Sequence, residues 1–103
     1  MLARKLERAI AGIISGADLS TMDAKSRNLA LKMKRQATDV RLDIRDYEYS
    51  ETRREQITHA DASRKRLQNI RSDILAASEY EIFSAVEVVQ LSTWIDQMMD
   101  KLE

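Results

Sequence analysis

The sequence predicts an all-α protein, an antiparallel bundle of three to four helices with one helix longer than the others. Three observations predict it. There is no proline, and the two glycines, Gly12 and Gly16, fall within the first 16 of 103 residues, so no strong breaker follows them. A third of the residues are charged and only 5% are aromatic, which suits long helices rather than sheets. Apolar residues recur at spacings of three and four. The pattern is clearest in residues 84–102, SAVEVVQLSTWIDQMMDKL, where Val88, Leu91, Ile95, Met98 and Leu102 form one stripe. A chain of this length makes a single domain, residues 1–103, with a modest core.

The first helix is expected from about Leu2 to Ser15, with Leu2, Leu6, Ala9 or Ile10, and Ile13 on its apolar face and Gly16 as its stop. After the connector GADLS, Ser20 and Asp23 have capping-box spacing, so the second helix is expected to start near Thr21. Met22, Ser26, Leu29, Met33, Ala37, Val40, Ile44 and Tyr47 carry its stripe; Tyr49 falls off it. The stretch SETRREQITHADASRKR holds one large apolar residue, Ile57, and no breaker. Thr58 with Asp61 resembles a further capping box, which puts a break near residues 56–60 and a third helix from about Ala60 to Ala77. That helix carries Leu67, Ile70, Ile74 and Ala77, with Leu75 widening the stripe. Ser84 and Glu87 form the best capping box in the chain and open the fourth helix. Phe83 and Val88 stand at hydrophobic-staple spacing around it.

Charge is unevenly distributed. Residues 1–71 carry 16 Lys and Arg against 10 Asp and Glu, a net of +6, while residues 72–103 carry one Lys against seven acids, a net of −6. Complementary helix edges account for this, and a partner-steering face of one sign is the sharper reading. The absence of cysteine excludes disulfides and thiolate metal sites. No apolar run approaches the ~18 residues of a membrane span. Glu7 and Arg8 interrupt the apolar N-terminal stretch, which reads as an amphipathic helix of a cytoplasmic protein rather than a signal peptide. With one histidine and no glycine-rich loop, neither a metal nor another cofactor is expected. The clusters KMKRQ and SRKR lack aromatics, and acids interleave through the second helix, so nucleic acid is not the expected partner.

Two patterns suggest chemistry. Residues 66–102 place Leu67, Ile70, Arg71 and Ile74 on one helix, then Glu87, Val88, Leu91, Ser92, Ile95 and Asp96 on the next. This third of the chain resembles the small phosphatases of spore-forming bacteria that remove phosphate from an aspartyl-phosphate on a response regulator, helical hairpins with a Ser-Gln-x-Leu-Asp signature. The resemblance implies roles for Asp96 and Ser92. The signature's Gln position is Thr93 here, a shorter side chain for orienting a water. Separately, Arg54 and His59 match the loose R-x4-H motif of the HEPN family of all-helical ribonucleases. That likeness implies an acid/base histidine and a phosphate-holding arginine.

The reading that best fits the whole chain is a small non-enzymatic interaction or regulatory protein. It is expected to dock a helical protein partner, and to form a homodimer, through exposed helix faces. Trp94, Met98, Met99 and Tyr49 are the expected contact residues. The phosphatase is the alternative, and the ribonuclease a second one.

Overall fold

A computed structural model of the chain describes residues 2–16, 22–80 and 82–102. These residues form four helices, α1 (Leu2–Gly16), α2 (Ala24–Glu48), α3 (Arg53–Glu79) and α4 (Ala85–Lys101), and no strand. Each helix packs on its neighbour in the chain, and α4 closes the ring against α1.

Cross-helix pairs fix the direction of the α2–α3 and α3–α4 seams. Lys32 meets Asp73, while Asp39 and Asp43 further along α2 meet Arg66 earlier on α3, so α2 and α3 run antiparallel. On α3 and α4, Arg71 meets Asp96 and Arg64 reaches the Leu102 carbonyl, which again run in opposite order. The molecule measures 47 × 22 × 19 Å. Its long axis follows the α2–α3 pair, since the 27 residues of α3 alone span about 40 Å at 1.5 Å per residue.

The core is built from four narrow stripes. Leu6 and Ile10 of α1, Met33 and Val40 of α2, Leu67, Ile70 and Ile74 of α3, and Leu91 and Ile95 of α4 are fully buried. Small residues between them, Ala30, Ala37 and Ala77, are buried too and let the helices approach closely. On α1 the buried set is Ala3, Leu6, Ile10 and Ile14, with Leu2, Ala9 and Ile13 partly covered. On α3, Leu75 is exposed and does not widen the stripe. It directly follows the buried Ile74, and a step of one residue turns a helix by about 100°. No described helix is long and apolar enough to cross a membrane.

The helix starts follow side-chain capping, and two of them differ from the sequence pattern. Ser20 and Thr21 lie outside the described residues. α2 begins at Ala24 with Asp23 as its own cap, whose carboxylate accepts the Ser26 amide at 2.7 Å. Hydrogen bonds from the Ser26 amide and hydroxyl hold that carboxyl below its ordinary value.

The break expected near residues 56–60 is absent. α3 starts at Arg53, capped by Thr52, which accepts the Glu55 amide at 3.1 Å. The Thr58 hydroxyl donates to the Arg54 carbonyl at 3.0 Å, the mid-helix habit of a threonine rather than a capping one. The polar stretch therefore continues α3 by two turns beyond its expected start, and the α2–α3 turn is confined to residues 49–52.

At α4 the capping box is complete. The Ser84 amide donates to Glu87 at 2.8 Å, and the Glu87 amide donates to the Ser84 hydroxyl at 3.2 Å. Phe83 is buried ahead of the cap and Val88 packs against the core, as a staple requires. Ser84→Ala should therefore cost about 1 kcal/mol, read as a lower urea midpoint at unchanged slope. An unchanged midpoint would mean that the box does not set the start of α4.

Candidate docking face

Several charged residues pair across the helix seams. On the α1–α2 seam the Arg41 guanidinium Nε lies 3.0 Å from both Glu7 carboxylate oxygens. Partial burial would raise the Glu7 pKa, but hydrogen bonds from Arg41 and Thr38, together with their positive surroundings, outweigh it and hold the group below its ordinary 4.5. Because the folded value is depressed, this pair contributes stability above the unfolded carboxylate range and loses it as pH falls through the folded value. Glu7→Gln should therefore flatten the loss of stability below pH 4.5, measured as urea midpoints across an acid series. An acid series identical to that of the wild type would contradict it.

On the α2–α3 seam, Arg66 binds both Asp39, at 3.2 Å, and Asp43, and Lys32 lies 3.4 Å from Asp73. On the α3–α4 seam, Arg71 pairs with Asp96 and also approaches the Met99 sulfur at 3.8 Å. Arg64 donates to the Leu102 carbonyl at 3.2 Å, which satisfies one of the orphan acceptors at the end of α4. Complementary edges thus seat the acidic last helix against the basic α3.

The residues suggested by resemblance are arranged as follows. Asp96 does have a partner, Arg71, which the sequence left without a role beside it. Ser92 is half-buried one turn away. The Thr93 hydroxyl is turned back onto its own helix, donating to the Val89 carbonyl at 2.9 Å. Arg54 is exposed and His59 half-buried on the same helix, α3. Five residues of helix separate them by about 140° around its axis, so within one chain they face different directions. Among the described residues there is no cluster of His, Cys, Asp or Glu able to hold a metal.

The apolar surface is more informative. Val86 is 76% exposed and Val89 is 66% exposed, although α4 already buries Leu91, Ile95 and Met98 on its other side. With Ala85, Gln90, Thr93 and Trp94 they line a shallow depression of about 560 Å³. Trp94 and Gln90 also line a groove of about 330 Å³ against Arg8, Ala9, Gly12 and Ile13 of α1. Gly12 has open space where a side chain would stand, so this edge of α1 is low.

Trp94 is partly buried at the junction of the two depressions. Met99 is partly covered beside Arg71. Met98 is 3% exposed, so it is a core residue and not a free contact residue. It lies on the Leu91–Ile95–Leu102 stripe that the ring buries. Tyr49, by contrast, is 78% exposed.

The sequence reading missed Val86 and Val89. Their signal was present, because α4 carries valines off its core stripe where a solvated helix would carry charges. A further cavity of about 400 Å³ opens among Leu2, Ala3, Ile44, Tyr47, Met98 and Leu102, with Glu48 and Lys101 on its lining. Those two opposite charges bring no acid–base pair or nucleophile with them.

Comparison with protein-family models, with curated proteins and with solved structures found no match.

Proposed function

We propose that the protein is a small non-enzymatic docking module that associates with a second copy of itself through the outer face of α4. One observation carries this reading. Val86, Val89, Gln90 and Thr93 form an exposed surface without a charged side chain, on a helix whose opposite face is filled by the core. Such a surface meets its own copy across a two-fold axis with no like charges opposed. Trp94 and the low edge of α1 at Gly12 extend the surface into a groove that Arg8 and Glu87 also line, and a large aromatic beside a groove suits an interface anchor. Regulation of a helical partner by the resulting assembly is the role that fits a chain with exposed helix faces and no converging reactive groups among the described residues. The mass of the chain in solution tests the reading. The expected value is twice 11.9 kDa, and a single-chain mass at all concentrations would refute it.

A second reading is favoured by one observation, the pairing of Arg71 with Asp96, since both lie in the pattern resembling the aspartyl-phosphate phosphatases. Against it, the Asp96 carboxylate is already held by a guanidinium, and the Thr93 hydroxyl is engaged on its own helix. No second water-orienting group converges with them among the described residues. If a phosphorylated response-regulator receiver lost phosphate faster with the wild type than with Asp96→Asn, this second reading would replace the first.

A further inference from the structure

We infer that the outer face of α2 is a separate docking site for an acidic amphipathic helix of another protein. This site is distinct from α4 and does not depend on self-association. The second helix carries two stripes. One is buried, through Ser26, Ala30, Met33, Ala37, Val40 and Ile44. The other runs through Leu31, Arg35, Thr38, Leu42, Arg45 and Tyr49 at alternating steps of four and three, the spacing of a coiled-coil seam, with the half-buried Thr38 also bonded to Glu7 of α1. Leu31 is 48% exposed and Leu42 is 38% exposed. The two leucines and Tyr49, at the end of the helix, fall within about 20° of one line along its axis. Arg35 and Arg45 are exposed between them, and neither is paired with a described carboxylate.

The packing of the ring makes this stripe basic. Asp39 and Asp43, which in the sequence interleave with the cations, are drawn onto the α3 seam by Arg66. Glu7 is held by Arg41. Asp46 remains on the far flank of the stripe and Glu48 beside its C-terminal end, while Lys34 stands on the flank toward α1. The surface therefore alternates apolar and cationic side chains at helical spacing.

This alternation selects the occupant. A second copy of α2 is disfavoured in either direction. Parallel pairing sets Arg35 against Arg35, and antiparallel pairing about Thr38 sets the arginines against the leucines of the other copy, burying cations in apolar surroundings. A nucleic-acid backbone would use the arginines and leave Leu31, Leu42 and Tyr49 idle. A helix with leucines and glutamates on one face uses both kinds of residue: its leucines cover the apolar positions, and its carboxylates meet the guanidinium forks.

The test is fluorescence anisotropy with three probes. One is a labelled three-heptad helical peptide with Leu and Glu on one face, the second is the same peptide with Lys for Glu, and the third is a mixed-sequence DNA duplex. The Glu peptide is expected to bind, and to bind more weakly as salt rises. Arg35→Glu with Arg45→Glu should weaken it about tenfold or more, and so should Leu42→Glu. Arg35→Gln with Arg45→Gln should act in the same direction without adding charge, while Val86→Glu with Val89→Glu should have no effect. Helicity by circular dichroism verifies that each variant is folded. The inference fails if the Glu peptide does not bind, if the Lys peptide binds equally well, or if the arginine variants bind normally. It also fails if the DNA duplex binds more tightly at the same residues, which would make the face a phosphate-backbone surface.

Discussion

Leu67→Ala should lower the stability of the bundle by about 2–5 kcal/mol, the range for deleting a fully buried leucine side chain. Leu67 has no exposed surface and lies on α3, the helix that packs against both α2 and α4. The loss combines the transfer energy of the missing carbons with the cavity they leave, because neighbouring rods in a ring collapse only partly into a void. Against a total of roughly 5–15 kcal/mol for a domain, this is a large fraction. Urea denaturation followed by circular dichroism measures it. Leu75→Ala is the control: its side chain is exposed one turn before the end of the same helix, and the expected change is within about 0.5 kcal/mol. Equal losses at the two positions would mean that the face of α3 turned toward the ring is not the one described.

If the chain dimerises through α4 as proposed, Val86→Glu with Val89→Glu should leave single chains with the fold intact. Both side chains are mostly exposed and contribute little to the core, so the folded monomer loses little. In a two-fold interface, each new carboxylate appears on both sides. Four charges then enter an apolar surface at once, and each must be desolvated beside the others. The expected shift in the dissociation constant is at least a hundredfold, about 2.7 kcal/mol, read by sedimentation equilibrium. A variant that dimerises as well as the wild type would move the interface elsewhere.

The helical class was legible because it rests on composition and periodicity, which act over many residues at once. The missing prolines and the three-and-four spacing of Leu67, Ile70 and Ile74 leave little room for another fold. The capping box at Ser84 was legible for a local reason: its two reciprocal bonds join residues three apart. The boundary between α2 and α3 was less legible. Thr52 and Thr58 both precede an acid by three residues, and only the bond that each hydroxyl makes in the folded chain, Thr52 to the Glu55 amide and Thr58 to the Arg54 carbonyl, separates a cap from a mid-helix threonine.

Met98 shows the limit for surfaces. Its place on the α4 stripe and its chemistry as an adaptable contact residue point in opposite directions, and the closing of α4 against α1 decides for the core. The partner of Asp96 was invisible because it stands 25 positions away, on another helix. The acids of α2 looked evenly mixed with its cations until the α3 seam drew Asp39 and Asp43 to one side.

The central claim, that the outer face of α4 is covered by a second copy of the chain, is tested most directly by the methyl resonances of Val86 and Val89 across a dilution series. Association through α4 should make these two signals move with concentration while those of Val40, sealed in the core, stay fixed. Val86 and Val89 signals that hold still from the most dilute to the most concentrated sample would contradict it.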